Sequence, residues 1–235
     1  MRILFNNYVE DATISANIVS LNYPPENLKH PYLKKRYQSL VDNATITVTF
    51  DSEKTLDCFF YGLHNMTSAE VRLYDSVDTL LLTVSISSPT ANRGREYFTS
   101  TSGVAYAEID ITGGDPVYLG GIGFGQYYQN LNFLSGYPES GNPTGSRSKS
   151  ASGQALSDYI KPLRTYSFSF RDRDKSDKDN WLDLVDDTYP GPYWFDLTEC
   201  DNTFLPVVYG TIQSYPGIVR NGKRYDNGLD IEEAR

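Results

Sequence analysis

The chain has only two cysteines, two histidines and two methionines in 235 residues. No apolar run approaches the roughly 20 residues that a membrane-spanning helix needs, so no membrane insertion is expected. Two cysteines cannot form a disulfide framework for a chain of this length. Cys58 lies in the apolar run Leu56-Asp57-Cys58-Phe59-Phe60-Tyr61 and Cys200 follows Glu199 in a polar stretch, so both read as free thiols of a protein folded in a reducing cytoplasm. Basic residues are short as well: 21 Lys and Arg stand against 30 Asp and Glu, for a net charge of −9. Such a chain lacks the clustered cations that grip a phosphate backbone, which excludes nucleic acid as the expected partner. The opening Met1-Arg2-Ile3-Leu4-Phe5-Asn6-Asn7 has no long apolar stretch behind its charge and is not read as a secretory signal. Without one, the sequons at Asn43 and Asn65 carry no expectation of glycosylation.

What the chain has in plenty is aromatic side chains, 19 Tyr, 11 Phe and 2 Trp, on a hydrophobic fraction of 39 % that suffices for a core. Tyrosine and threonine favour pleated sheets, and tyrosine favours interfaces. Period-two runs follow. In Ala44 to Phe50, Ile46, Val48 and Phe50 share one face and three threonines the other. Ala69 to Tyr74 puts Val71 and Leu73 inward and Glu70, Arg72 and Tyr74 outward. Thr79 to Ile86 and Val104 to Ile111 continue the series, with turns at Asp51-Ser52, Asp75-Ser76, Ser87-Ser88-Pro89 and Gly113-Gly114-Asp115-Pro116. Strands in succession without long helices predict a mainly β fold, an antiparallel β-sandwich. Gly120 to Gly125 has neither the dinucleotide nor the Walker spacing. Glycines 121, 123 and 125 alternate with Ile122 and Phe124 and read as the bare face of a strand against which something packs closely.

Ser, Gly and Pro dominate Ser135 to Ser157, which marks a linker or exposed loop. The expected division is a β-sandwich over 1–128, a linker over 129–157, and a smaller β-rich domain over 158–235 that ends in an acidic tail. Within the last, Tyr166, Phe168 and Phe170 alternate with polar residues. Tyr193 to Leu197 and Val207 to Gln213 suggest further strands. Ser176 is placed to cap one short helix with Trp181, Leu184 and Val185 on one face.

Catalytic constellations are missing. His30 and His64 lie in no nucleophile elbow or zinc helix, and no Cys/His cluster has metal-ligand spacing. Asp172, Asp174, Ser176 and Asp183 imitate the spacing of a calcium loop, but Asp177 stands where its glycine belongs and a lysine follows, so an acidic turn is the expectation. The carboxylate pairs Asp186-Asp187 and Glu232-Glu233 read as a helix end and a tail rather than a hydrolase pair. The chain is expected not to be an enzyme, and to use no metal and no cofactor.

The order of residues in Asn22-Tyr23-Pro24-Pro25-Glu26-Asn27-Leu28, then Pro31-Tyr32-Leu33-Lys34-Lys35-Arg36-Tyr37-Gln38-Ser39, then Gly62-Leu63-His64-Asn65-Met66, resembles tailed-bacteriophage virion proteins that begin with a discoidin-like (factor V/VIII type C, galactose-binding-like) jelly roll. Tyr166 to Phe170, Tyr193 to Asp196, Tyr209-Gly210 and Leu229 to Glu233 resemble their companion region. The resemblance implies a structural virion component of the tail, tail tip or collar, made in the host cytoplasm, with copies of itself and other virion proteins as partners. Its other implication is an adhesion module for a host-surface glycan. Loops of such sandwiches bind ligands, which makes Tyr32, Arg36 and Tyr37 the candidate ligand residues. The group usually has Trp where this chain reads Arg36-Tyr37-Gln38-Ser39, and there Tyr37 is weighed as core more than as ligand platform. Gly62, His64 and Asn65 are expected to stabilise a turn at a strand end.

Overall fold

The computed structural model describes residues 2–4, 6–30, 33–89 and 91–129, and beyond them 139–142, 147–149, 155–157, 163–173, 175, 178–179, 182, 192–197, 207–214, 219–221 and 224–233. Contacts group the chain into two compact units. The first is Met1–Asn130 with Tyr193–Tyr209 and Arg235; the second is Leu131–Pro192 with Gly210–Ala234. This grouping differs from the sequence expectation in returning Tyr193–Tyr209 and Arg235 to the first unit and in counting 131–157, expected as linker, with the second.

The strands of Met1–Asn130 are β1 (Arg2–Leu4), β2 (Thr13–Ala16), β3 (Tyr37–Gln38), β4 (Asn43–His64), β5 (Met66–Tyr74), β6 (Leu80–Ser87), β7 (Arg93–Gly113), β8 (Tyr118–Gly125) and β9 (Tyr127–Gln129). All their pairings are antiparallel, as expected. β4 and β7 are long enough to serve two layers. Their Asn43–Thr49 and Tyr106–Thr112 portions pair with each other and carry β2 on one side and β5 then β6 on the other. Their Cys58–Gly62 and Arg93–Tyr97 portions pair again, and there β4 carries β8, which carries β3. The turn expected at Asp51-Ser52 is thus a place where β4 continues with shifted register between Thr49 and Lys54.

The period-two reading places the core correctly. Ile46, Val48, Phe50, Val71, Leu73, Ala107, Ile109 and Ile111 from one layer and Phe59, Tyr61, Leu119, Ile122 and Phe124 from the other form one buried cluster. Phe124 joins the layers, stacked on Phe59 at 4.6 Å and edge-on to Phe50 at 6.1 Å. The result is an antiparallel β-sandwich.

A third layer covers the other face of β8. β1 pairs with β9 (Ile3 opposite Tyr128) and with β14 (Pro192–Asp196; Ile3 opposite Phe195). Trp194, 1 % exposed, lies at 5.9 Å from the Phe60 ring and 4.5 Å from that of Tyr209. The glycine alternation is what lets it approach. A Cβ at Gly123 would stand 2.6 Å from Leu4 Cδ2 and 2.8 Å from Trp194 Cδ1, and one at Gly121 would stand 2.6 Å from Leu33 Cδ2. Beside this packing Asp196, 3 % exposed, accepts hydrogen bonds from Arg95 Nε (2.8 Å) and the Tyr97 hydroxyl (2.9 Å). The Arg2 guanidinium covers the rings of Tyr97 (4.4 Å) and Tyr127 (5.1 Å). A buried carboxylate needs such donors, because a lone buried charge is far costlier than a paired one.

In the second unit β10 (Glu139–Asn142), β13 (Leu163–Arg173) and β17 (Arg224–Glu233) pair antiparallel in that order, and β15 (Val207–Ser214), from Gly210 on, and β16 (Val219–Asn221) also pair with β17. β11 (Arg147–Lys149) and β12 (Ala155–Ser157) form a hairpin inside the stretch expected to be linker. Tyr166 and Phe168 are buried as their alternation implied. The acidic tail is corrected: Asp230, Ile231, Glu232 and Glu233 belong to β17, where Leu229 and Ile231 are fully buried and Glu232 pairs with Thr165. Acids spaced by apolar residues make a half-buried strand rather than a solvated end. Lys175, Lys178, Asp179 and Leu182 are helical, while Ser176, Trp181, Leu184 and Val185 of the expected helix lie outside the described residues.

Candidate functional site

One end of the sandwich carries the loop from Ile18 to Asp42, held by an internal hydrogen-bond frame. A 3-10 turn at Pro25–Lys29 starts where proline presets the backbone. Ser20 N donates to Gln38 O (3.2 Å), Tyr23 N to Ser20 O (3.0 Å), Gln38 N to Tyr23 O (3.2 Å), and Asn27 Nδ2 to Arg36 O (3.0 Å). The frame brings Arg36 between two tyrosines. Its guanidinium carbon lies 4.2 Å from the Tyr118 ring centre and 5.6 Å from that of Tyr23. One nitrogen donates to Gln38 Oε1 at 3.1 Å. Among the described residues no carboxylate pairs with Arg36. Of its five N–H donors one goes to Gln38, which leaves four without a partner among the described residues. Tyr23 is 36 % exposed, Leu21 99 %, and Lys34 and Lys35 are exposed alongside. With Lys29 and Arg36, these lysines make a cationic rim on an acidic chain, with Glu26 the one acid from 26 to 36.

The three candidate ligand residues part company here. Arg36 is at the centre of the site. Tyr37 is corrected as a ligand residue: it has no exposure, its hydroxyl donates to Ile18 O, and burial pushes its pKa up to about 12. It belongs to the core and pins the loop from inside. Tyr32 lies outside the described residues. Sequence reasoning did not include Tyr23, Gln38 and Tyr118 as ligand groups. Tyr23 and Gln38 stood in the quoted motifs, whereas Tyr118 sits 82 positions from Arg36 and only the β3–β8 pairing brings them together.

The Gly62-to-Asn65 motif is structural, and its parts differ. A Cβ at Gly62 would meet Trp194 at 2.8 Å, and Leu63 takes a left-handed φ of 49°. Asn65 holds not its own strand end but the neighbouring Gly114–Tyr118 turn, with its Nδ2 donating to Pro116 O (3.0 Å) and its Oδ1 accepting from Tyr118 N (2.8 Å). By fixing Tyr118 it also positions one wall of the Arg36 clamp. His64 instead packs its ring edge-on to Tyr61 at 5.2 Å. Burial lowers its pKa below the ordinary 6.5, against a weaker opposing pull from the backbone of Ala91. The unfolded chain therefore takes up the proton first as pH falls. The His64 contribution is whole above about pH 6.5 and is lost below it. His64→Phe keeps a ring of similar shape and removes that linkage. Denaturation midpoints of wild type and His64→Phe are expected to diverge progressively below pH 6.5, with the wild type falling faster; parallel midpoints down to pH 5 would remove His64 from the pH response.

Three acids run the opposite way, whereas Asp51 and Asp75, lowered first by hydrogen bonds from Lys54 and from the backbone of Thr79, run with His64. Glu10, Asp57 and Glu96 have pKa values raised first by burial, so protonation stabilises the fold as pH drops through their range. The comparison with His64→Phe isolates the histidine from them.

No protein-family model and no curated relative matches the chain. Similar solved structures include the lectin binding domain of Lectinolysin, as a His 62 mutant complexed with Lewis b (12 % identity, TM-score 0.46, 53 % of this chain and 99 % of that one). Others are the Streptococcus pneumoniae fucose binding module SpX-3 (13 %, 0.47, 52 % and 99 %) and the family 32 CBM from C. perfringens NanJ in complex with galactose (13 %, 0.45, 55 % and 100 %). About half of this chain is covered in each case. At these identities and TM-scores the sugars in those complexes belong to those proteins alone.

Proposed function

We propose that the chain is a non-catalytic glycan-binding module that takes an acidic saccharide, one bearing a carboxylate or sulfate, at the Tyr23–Arg36–Gln38–Tyr118 site. The observation that carries this is the guanidinium between two rings, bonded to Gln38 and with no carboxylate partner among the described residues. A planar fork of donors matches a carboxylate or a pair of adjacent hydroxyls. The flat face of Tyr23 offers a surface for the apolar side of a sugar ring. The cationic rim of Lys29, Lys34 and Lys35 favours an anion.

The residue-order resemblance to phage virion proteins gives a second reading, a structural virion component, and the two are compatible. A glycan-binding module carried on a particle would be an attachment part, located in the virion and folded in the host cytoplasm.

A glycan array of neutral and acidic sugars, probed with wild type and with Arg36→Ala, tests the reading. Wild type is expected to select acidic sugars, with binding weakened by added salt. Arg36→Ala is expected to lose on the order of tenfold or more, as for a charged hydrogen bond worth about 1.5–3 kcal/mol, with an unchanged melting temperature. An array blank for wild type, or Arg36→Ala binding as well as wild type, would overturn it.

A further inference from the structure

We propose that Gln38 sets the charge selectivity of the glycan site proposed above, on which this inference rests: a neutral amide stands where a carboxylate would cancel the Arg36 charge and turn acidic sugars away. Gln38 is held from both sides. Its backbone N donates to Tyr23 O and its backbone O accepts from Ser20 N, both at 3.2 Å, and β3 sets it opposite Tyr118. Its side chain therefore starts from a fixed point beside the two rings that flank the guanidinium. From there Oε1 accepts from an Arg36 nitrogen at 3.1 Å.

That bond decides what the pair shows to a ligand. An amide has one oxygen acceptor and two N–H donors. With Oε1 engaged by Arg36, the Nε2 donors are the end left over, and they have no partner among the described residues. Arg36 and Gln38 together thus offer a ligand donors, which suits a group made of acceptors. A glutamate has the same length and shape and would keep the bond to Arg36 in a charge-assisted form, but it would cancel the charge and supply no donor. Two other partly buried arginines of the chain are compensated in that way: Arg72 reaches Glu108 and Asp110, and Arg95 reaches Asp196. Arg36 differs in having an uncharged partner. Its sequence surroundings add no compensation either, since there is no acid from Asn27 to Val41, where Lys29, Lys34 and Lys35 accompany it on a chain of net charge −9. The site keeps its positive charge because position 38 is an amide.

Gln38→Glu and Gln38→Met, compared with wild type, separate charge from shape. The array carries each acidic glycan beside its neutral parent: glucuronate with glucose, galacturonate with galactose, sulfated with unsulfated galactose. The readout is the ratio of acidic to neutral binding, which wild type is expected to hold above one. In Gln38→Glu the ratio is expected to fall on the order of tenfold or more, with a melting temperature no lower than that of wild type. Gln38→Met fills similar space without the bond and without a charge, and is expected to keep the ratio above one whatever it loses in affinity. A residue that only held Arg36 in place would give the reverse order, with the glutamate variant keeping the acidic preference and the methionine variant losing it. That order would overturn the inference and leave the site itself standing, as would a glutamate variant with the wild-type ratio. A wild type blank for every acidic sugar would overturn the site, and the role of Gln38 with it.

Discussion

Trp194→Ala is expected to lower the stability of the first unit by about 3–5 kcal/mol, as for other fully buried large aromatics. The indole is 1 % exposed, tilted over Phe60 at 5.9 Å and against Tyr209 at 4.5 Å, and it fills the trough left by Gly62 and Gly123. Its removal leaves a trough floored by glycines, which have no side chains with which to collapse into it. In thermal unfolding this is a drop of about 10 °C, at roughly 2–4 °C per kcal/mol for a chain of this size. Chemical denaturation followed by the loss of near-ultraviolet dichroism measures it. A cost below about 1 kcal/mol would mean that Tyr193–Tyr209 is not part of the first unit.

Gly125→Ala attacks the same layer from the opposite side. A Cβ there would stand 1.9 Å from the backbone oxygen of Asn6 and 2.9 Å from Leu4 Cδ1. Rotating a side chain relieves the second contact but not the first, so β1 or its following turn must move. The pairing of Ile3 with Phe195 and Tyr128 would shift with it. The expected cost is about 3 kcal/mol, the upper end for overpacking. Gly103→Ala is the control: its φ of +74° imposes strain, but only the Glu53 carboxylate lies within 4 Å, so the cost should be about 1 kcal/mol. Equal melting temperatures for wild type and Gly125→Ala would contradict the layer as described.

Elements whose chemistry is local were legible in the sequence. The alternation in Ala44 to Phe50, Ala69 to Tyr74 and Val104 to Ile111 names the buried face, because a strand with one wet side must repeat every second residue. The glycines at 121, 123 and 125 announced a close neighbour but not its identity. Trp194 lies about seventy residues onward, and nothing in a single sequence links the two. The same limit hid the site. Arg36 was legible as a candidate, but its place against Tyr118 depends on sheet register. Tyr37, where β3 begins, is fully buried, while Arg36 just before the strand is half-buried between two rings, a difference that composition and order do not show. At Leu229 to Glu233 the opposite error occurred, where charge content was read as a tail and the apolar alternation beneath it was passed over.

The most direct measurement of the central claim is a titration followed by backbone amide and arginine side-chain NMR, using the sugar that ranks first on the array. Shift changes are expected to concentrate on Tyr23, Gln38, Tyr118 and the Arg36 guanidinium N–H groups, and to vanish in Arg36→Ala. Shift changes centred elsewhere, for example on the outward Tyr74–Tyr106 stack of β5 and β7, with Arg36 silent, would contradict a ligand site built on the Arg36 clamp.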